Sequence, residues 1–101
     1  MPSYRTVLVV GRLQPGVDAA TVLPTAAAAA RERTTVEAYD VDVVAGQARV
    51  TVRFTADDDP QAHAVAHVTR NAVTALAEVP SATLDRRWGA RWSPVRRGPV
   101  R

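Results

Sequence analysis

The sequence predicts an α+β fold in which a four-stranded antiparallel sheet carries two helices on one face. Its 101 residues are the length of one domain. Four segments are rich in β-branched and aromatic residues or alternate apolar with polar side chains, as strands do. Two others follow helix-start residues and contain strong helix formers. The six segments follow one another in the order β-α-β-β-α-β.

The first strand and the first helix occupy the first third of the chain. Tyr4–Val10 is rich in valine and is predicted to be a strand. Asp18 is a predicted N-cap for a helix within Ala19–Arg33. Pro24 interrupts that stretch because proline lacks an N–H donor. The firm helix is therefore predicted over Thr25–Arg33, with a kink or a short turn before it.

The middle of the chain predicts a β-hairpin. Thr34–Val44 contains valines that alternate with acidic residues, and Ala48–Ala56 alternates apolar residues with arginine and threonine. The intervening Ala45–Gly46–Gln47 has the composition of a tight turn, so the two strands are expected to pair.

A second helix and a last strand complete the domain. Asp57–Asp59 followed by Pro60 predicts a helix start, and the helix is expected to run to about Glu78. Ala82–Val95 is predicted to be one long strand, whose end projects past its own sheet and pairs with a second subunit. One face of that strand is expected to carry Leu84, Arg86, Trp88, Ala90 and Trp92.

The order of the elements, over about residues 4–93, resembles the ferredoxin-like βαββαβ sandwich. The domain is predicted to cover residues 1–93, and residues 94–101 are predicted to form a basic C-terminal tail. Many unrelated functions use this fold, so the resemblance implies architecture and no activity.

A turn between the first strand and the first helix is similar to that of ACT domains. These are regulatory modules of the same fold that bind amino acids at dimer interfaces. The resemblance is carried by Pro15–Gly16. Leu13 and Gln14 stand where that family commonly has an acidic residue, so no binding residues are carried over.

Composition excludes several classes of function. The chain has no cysteine, which excludes disulfides, thiol catalysis and cysteine-bound metals. It has no apolar run near 18 residues and no signal-peptide pattern, so a cytoplasmic protein without a membrane span is expected. The bias towards alanine, valine and arginine, with no lysine, is typical of a GC-rich bacterial genome.

Charge is distributed unevenly along the chain. Residues 1–85 contain all ten acidic residues and seven arginines, whereas residues 86–101 contain six arginines and no acid. Such asymmetry predicts an interaction segment at the basic end.

The basic end also contains both tryptophans. Arginine binds phosphate through its planar fork and tryptophan offers a face on which bases stack, so the segment is a candidate for nucleic-acid binding. The alternative is that the tryptophans pack in a core or a dimer interface while the arginines are solvated. The candidate binding residues are Arg86, Arg87, Trp88, Arg91, Trp92, Arg96 and Arg97.

The sheet face turned away from the helices is a second candidate surface. If Val50, Val52 and Phe54 point to the helices, Arg49 and Arg53 point away from them. The same phase applies to Asp40 and Asp42. These charges form either cross-strand ion pairs or part of a two-fold dimer interface, which Leu8, Val10 and Thr51 would help to build.

His63 and His67 are four residues apart on the second predicted helix, the spacing of a metal-binding pair. Asp59 lies one turn earlier but is expected to cap the helix, and Ala64 stands where a metalloprotease has glutamate. The histidines are therefore weak candidates, and neither a metal nor another cofactor is predicted.

The predicted function is that of a small, dimeric, non-catalytic binding domain. It would act through the open sheet face and the Arg/Trp segment, on a second copy or another protein. One alternative is electrostatic binding of nucleic acid. Another is a small cofactor-free dimeric enzyme, which needs a closed apolar pocket between sheet and helices. A polar group would point into that pocket from His63, His67, Tyr39 or Tyr4.

Overall fold

A single antiparallel sheet of five strands dominates the computed structural model, which describes residues 1–96. The order across the sheet is β2-β3-β1-β4-β5. The strands are β1 (Ser3–Val10), β2 (Val36–Val44), β3 (Gln47–Thr55), β4 (Ser81–Trp88) and β5 (Arg91–Pro94). The α+β class and the ferredoxin-like order of the first four strands agree with the prediction. The predicted count of four strands is wrong.

The fifth strand arises because the segment predicted as one long strand is a hairpin. The chain reverses at Gly89–Ala90, where Gly89 has a φ of 62°, a conformation that glycine adopts without steric cost. Arg87 then lies opposite Trp92, and Trp88 lies opposite Arg91. The segment therefore pairs with its own sheet instead of projecting from it, and the two tryptophans lie on opposite faces.

The first helix, α1 (Val22–Arg31), begins three residues before the predicted firm helix. Pro24 lies in its first turn, where backbone N–H groups have no intrahelical partner, so the proline is accommodated. The short turn predicted before it is a 3₁₀ helix, Ala19–Thr21. As predicted, Asp18 caps this turn, and its side chain accepts a hydrogen bond from the N–H of Ala20 at 2.9 Å.

The second helix, α2 (Asp59–Thr74), begins at the predicted aspartate run and ends four residues before the expected Glu78. Its N-cap is Asp58, which accepts from the N–H of Gln61 at 2.9 Å. The expectation that Asp59 serves as the cap is therefore wrong. Neither helix in residues 1–96 is long and apolar enough to cross a membrane.

Both helices pack on one face of the sheet and enclose the core. As predicted, Val50, Val52 and Phe54 of β3 face the helices. Leu8 is also buried there, so the expectation that it helps to build the open face is wrong. Val10 has the same phase and packs at the edge of the core, so its expected place on the open face is wrong as well. The other buried core residues are Tyr4, Thr6, Val22, Ala26, Ala27, Ala30, Ala56, Ala62, Val65, Thr69, Val73, Ala77 and Leu84.

The hairpin of β2 and β3 extends beyond the helices. Tyr39, Val41 and Val43 have the phase of core residues, yet they are 44%, 53% and 67% exposed. The turn between the strands places Ala45 at φ 53° and Gly46 at φ 79°, the two positive angles of a type I′ hairpin turn.

Ala45 is strained because a residue with a Cβ rarely adopts a positive φ. Replacing Ala45→Asn is expected to raise the free energy of unfolding by about 1 kcal/mol, since asparagine tolerates this conformation and Asn-Gly is a preferred I′ pair. Urea unfolding followed by circular dichroism measures the change. Ala90→Asn, at a position without positive φ in the other hairpin turn, is the matched control. Equal effects of the two substitutions would contradict the strain at Ala45.

Candidate functional site

The open face of the sheet, the face without helices, carries most of the charged residues that the strands contribute. The register places Arg5, Arg49 and Arg53 on this face. It also places Asp40 and Asp42 there, as predicted. The remaining charged residues of the face are Glu37, Asp85 and Arg87.

Trp92 lies on this face among three arginines. The guanidinium carbons of Arg5, Arg53 and Arg87 are 4.6, 5.5 and 5.9 Å from its ring centroid. These distances permit cation–π attraction, and the indole is half-buried. The hairpin makes this cluster possible, because β5 turns Trp92 towards the guanidinium groups from the two central strands.

Two of the open-face arginines have acidic partners. Arg5 Nε lies 3.0 Å from Asp85 Oδ2, and Arg53 Nε lies 3.4 Å from Glu37 Oε1. Within residues 1–96, four other charged residues of this face take part in no ion pair. These are Asp40, Asp42, Arg49 and Arg87. Arg49 Nε is buried and has no hydrogen-bond partner among the described residues, a state that folded proteins usually avoid.

The charges of the open face are segregated across it. Strand β2, at one edge, contributes three acids and no base: Glu37, Asp40 and Asp42. Arg87 and Trp92 lie on the two strands at the opposite side. Asp85 of β4 also lies there, but its carboxylate pairs with Arg5. The face therefore has an acidic edge and, on the opposite side, an aromatic side that we call the cationic edge, because Arg87 is its unpaired charge.

The rest of the predicted Arg/Trp segment does not belong to this face. Trp88 is 56% exposed and has the phase of the helix-covered face. The guanidinium of Arg86 lies 4.0 Å from the centroid of the Trp88 ring, and Arg91 lies opposite Trp88 in the hairpin. Arg96 is exposed beyond β5. Arg97 lies outside the described residues.

A polar cluster that the sequence did not predict joins the sheet to α2. The hydroxyl of the buried Tyr4 donates to Asp59 Oδ1 at 2.6 Å, and Arg86 Nη1 lies 3.1 Å from the same oxygen. Arg86 also approaches the Tyr4 oxygen at 3.3 Å. No local signal in the sequence could have brought these groups together, because they lie on β1, α2 and β4.

The cluster changes the acidity of two of its members. Burial, followed by the contact with the Asp59 carboxylate, raises the pKa of Tyr4 from 10.0 to about 12. The pKa of Asp59 is lowered, mainly by the hydrogen bond that it accepts from Tyr4 and further by Arg86. The tyrosine is therefore held neutral and the carboxylate ionised, which suits a structural contact.

The two histidines lie on the helical side. His63 is half-buried, with Nε2 3.3 Å from the carbonyl oxygen of Arg96. His67 is exposed, with Nε2 3.2 Å from Asn71 Nδ2. Asp59, which lies one turn before His63, is engaged by Tyr4 and Arg86. In residues 1–96, no group of three or more acidic or histidine side chains could hold a metal ion.

No protein-family model, curated protein or solved structure matches this chain. The candidate site is therefore assigned from its own geometry.

The raised pKa of Tyr4 makes stability sensitive to alkaline pH. Tyr4 binds its proton more tightly in the folded protein than in the unfolded chain. Its contribution to the free energy of unfolding is therefore complete below pH 10 and is lost as pH rises towards 12. We expect Tyr4→Phe to lower the free energy of unfolding at pH 7 by about 1.5–3 kcal/mol, the range for a hydrogen bond to a charged group. The substitution should also reduce the decline in the free energy of unfolding between pH 10 and 12.

Urea unfolding at a series of pH values measures both effects, and Tyr39→Phe is the matched control. The Tyr39→Phe protein retains Tyr4 as its only tyrosine, so absorbance at 295 nm reports the ionisation of Tyr4 directly. A transition near pH 10 in the folded protein would contradict the buried, carboxylate-bound hydroxyl.

Proposed function

We propose that this protein is a non-catalytic interaction domain that binds a second copy of itself through the open sheet face. The observation that carries the proposal is the pair of opposite, unpaired charges at the two edges of this face. Asp40 lies at the acidic edge and Arg87 at the cationic edge. Neither takes part in an ion pair within residues 1–96.

In a two-fold symmetric dimer, the separated acidic and cationic edges of the open face can pair with each other. When two identical faces stack, a two-fold axis parallel to the sheets can exchange any two points of the face. An axis that exchanges the two edges sets the acidic edge of each copy against the cationic edge of the other. Both unpaired charges then acquire partners, twice in each dimer.

The middle of the face supplies the apolar contact that such an interface needs. Val7 and Val9 of the central strand point to the open side, because their neighbours Thr6 and Leu8 are buried. Thr51 lies beside Val7 on β3. Two stacked sheets would bury this apolar centre and keep the charges at the rim, as protein interfaces commonly do.

The same face is a poor match for nucleic acid. Its four arginines are balanced by four acids, whereas phosphate binding favours an excess of positive charge. Three guanidinium groups already surround the Trp92 ring, so they compete with bases for its faces.

Charge reversal at the two edges tests the dimer. Asp40→Arg alone and Arg87→Glu alone should each weaken self-association by about tenfold, because each places like charges together at both symmetry-related contacts. An equimolar mixture should form a heterodimer, in which one contact is native and the other has exchanged charges. Sedimentation equilibrium of each variant and of the mixture gives the masses.

Thr74→Arg, on the exposed helical side, is the control for a change in net charge and should leave self-association unchanged. If the wild-type chain is a monomer at high micromolar concentration, or the mixture associates no better than either variant, the open face is not the interface.

A second candidate function is nucleic-acid binding at the tip of the β4–β5 hairpin, and the exposure of Trp88 beside Arg86 and Arg91 favours it. Titration of Trp92→Phe protein with a single-stranded oligothymidylate isolates Trp88. Quenching that is reversed by salt would support this function. Unchanged emission at low salt would exclude stacking on Trp88.

A further inference from the structure

A groove on the helical side of the sheet lies outside the proposed interface. It runs between α2 and the β4–β5 edge, where neither helix covers the sheet completely, and is an open groove with a volume of about 990 Å³. Its apolar lining includes Ala66 of α2, together with Ala82, Leu84, Pro94 and Val95 from the sheet side. Val95 is held in place by its N–H, which donates to the carbonyl oxygen of Leu84 at 2.9 Å.

One wall of the groove carries cationic and proton-binding side chains. His63, His67 and Arg70 follow one another on α2 at spacings of four and three residues, so they share one side of the helix. The opposite wall is mostly apolar. The groove is therefore amphipathic across its width, with nitrogen donors on the helix and hydrocarbon on the sheet.

These polar side chains retain hydrogen-bonding capacity. Arg70 donates to the carbonyl oxygen of Val79 through Nη2 at 3.2 Å, and a guanidinium has five N–H donors. His67 Nε2 accepts from Asn71 Nδ2, which leaves its Nδ1–H free to donate, whereas His63 uses its Nε2–H to donate to the carbonyl oxygen of Arg96. Asp85 also borders the groove, but its carboxylate pairs with Arg5 on the open face. No carboxylate of the described lining is thus left to repel an anion from α2.

We propose that this groove binds an amphipathic carboxylate, an acid with an extended apolar body. The carboxylate would accept hydrogen bonds from Arg70 and His67, next to His63, and the apolar body would cover Leu84, Ala82 and Val95. Charge complementarity selects an anion, and the apolar wall selects a hydrocarbon or aromatic body. A volume near 1,000 Å³ is at the upper end of small-molecule sites, which suits a chain longer than a few carbons.

The two histidines give a direct readout because the chain contains no others. Titration of the full chain with sodium decanoate, followed by proton NMR of the imidazole signals, should shift both residues along a saturable curve. Decanol, which has the same apolar chain without the charge, should bind at least tenfold more weakly. Hexanoate, which keeps the charge on a shorter chain, should also bind more weakly.

Arg70→Met retains an unbranched stem but removes the charge and should weaken decanoate binding by about tenfold. Arg33→Met, at an exposed position after α1, should leave it unchanged. Asp40→Arg should also bind like the wild type, so failure of the dimer and failure of this site are distinguishable. Backbone amide shifts in ¹⁵N spectra should centre on residues 63–70 and 82–84.

Absence of saturable shifts at the imidazoles would overturn the proposal. Equal affinity for decanol and decanoate would overturn it as well, because the cationic wall would then have no part in binding. Amide shifts centred on the open face would assign the ligand to the wrong side of the sheet and would likewise reject the groove.

Discussion

The positive φ of Gly89 is the constraint on which the arrangement of the functional surfaces depends. It lets the chain reverse within two residues, so residues 81–94 form a hairpin on the edge of their own sheet. Arg87 faces the open side because of its phase in β4, and the reversal brings Trp92 to the same face while Trp88 stays on the other. A segment that looks uniform in sequence therefore contributes to two different surfaces.

The Tyr4–Asp59–Arg86 cluster connects these surfaces to the core. Tyr4 lies on the central strand β1, and Asp59 is the first residue of α2. Arg86 lies on β4, one residue before Arg87, whose side chain faces the open side. The contact ties β4 to both the helix layer and the sheet centre, and so supports the position of the hairpin. An ionised carboxylate at the first turn of α2 is also favourably placed with respect to the helix dipole.

Alternation in the sequence was a reliable guide where strands lie over the core. The inward phase of Val52 and the outward phase of Arg53 follow from it directly. It could not show that Val43 stays exposed, because burial depends on how far the helices reach. The alternating pattern also runs through Trp88–Trp92, and one glycine within such a run is compatible with an uninterrupted strand. Alternation therefore predicts one long strand where the structure has a hairpin.

The candidate site was harder to predict than the fold, because several of its contacts join residues that lie far apart in the sequence. Arg49, Arg53, Asp40 and Asp42 were placed correctly because their phase is local. The approach of Tyr4 to Asp59 spans 55 positions and depends on tertiary packing alone. The cluster around Trp92 joins four strands and depends on the β4–β5 hairpin, which the alternating pattern of the sequence does not reveal.

The most direct test of the central claim is the emission of Trp92 as a function of protein concentration. In a Trp88→Phe variant, Trp92 is the only tryptophan and reports on the open face alone. The proposed dimer predicts a spectrum that moves to longer wavelength on dilution, as the mass falls to 10.8 kDa from twice that value. An unchanged spectrum, with a mass of 10.8 kDa at every concentration, would contradict it.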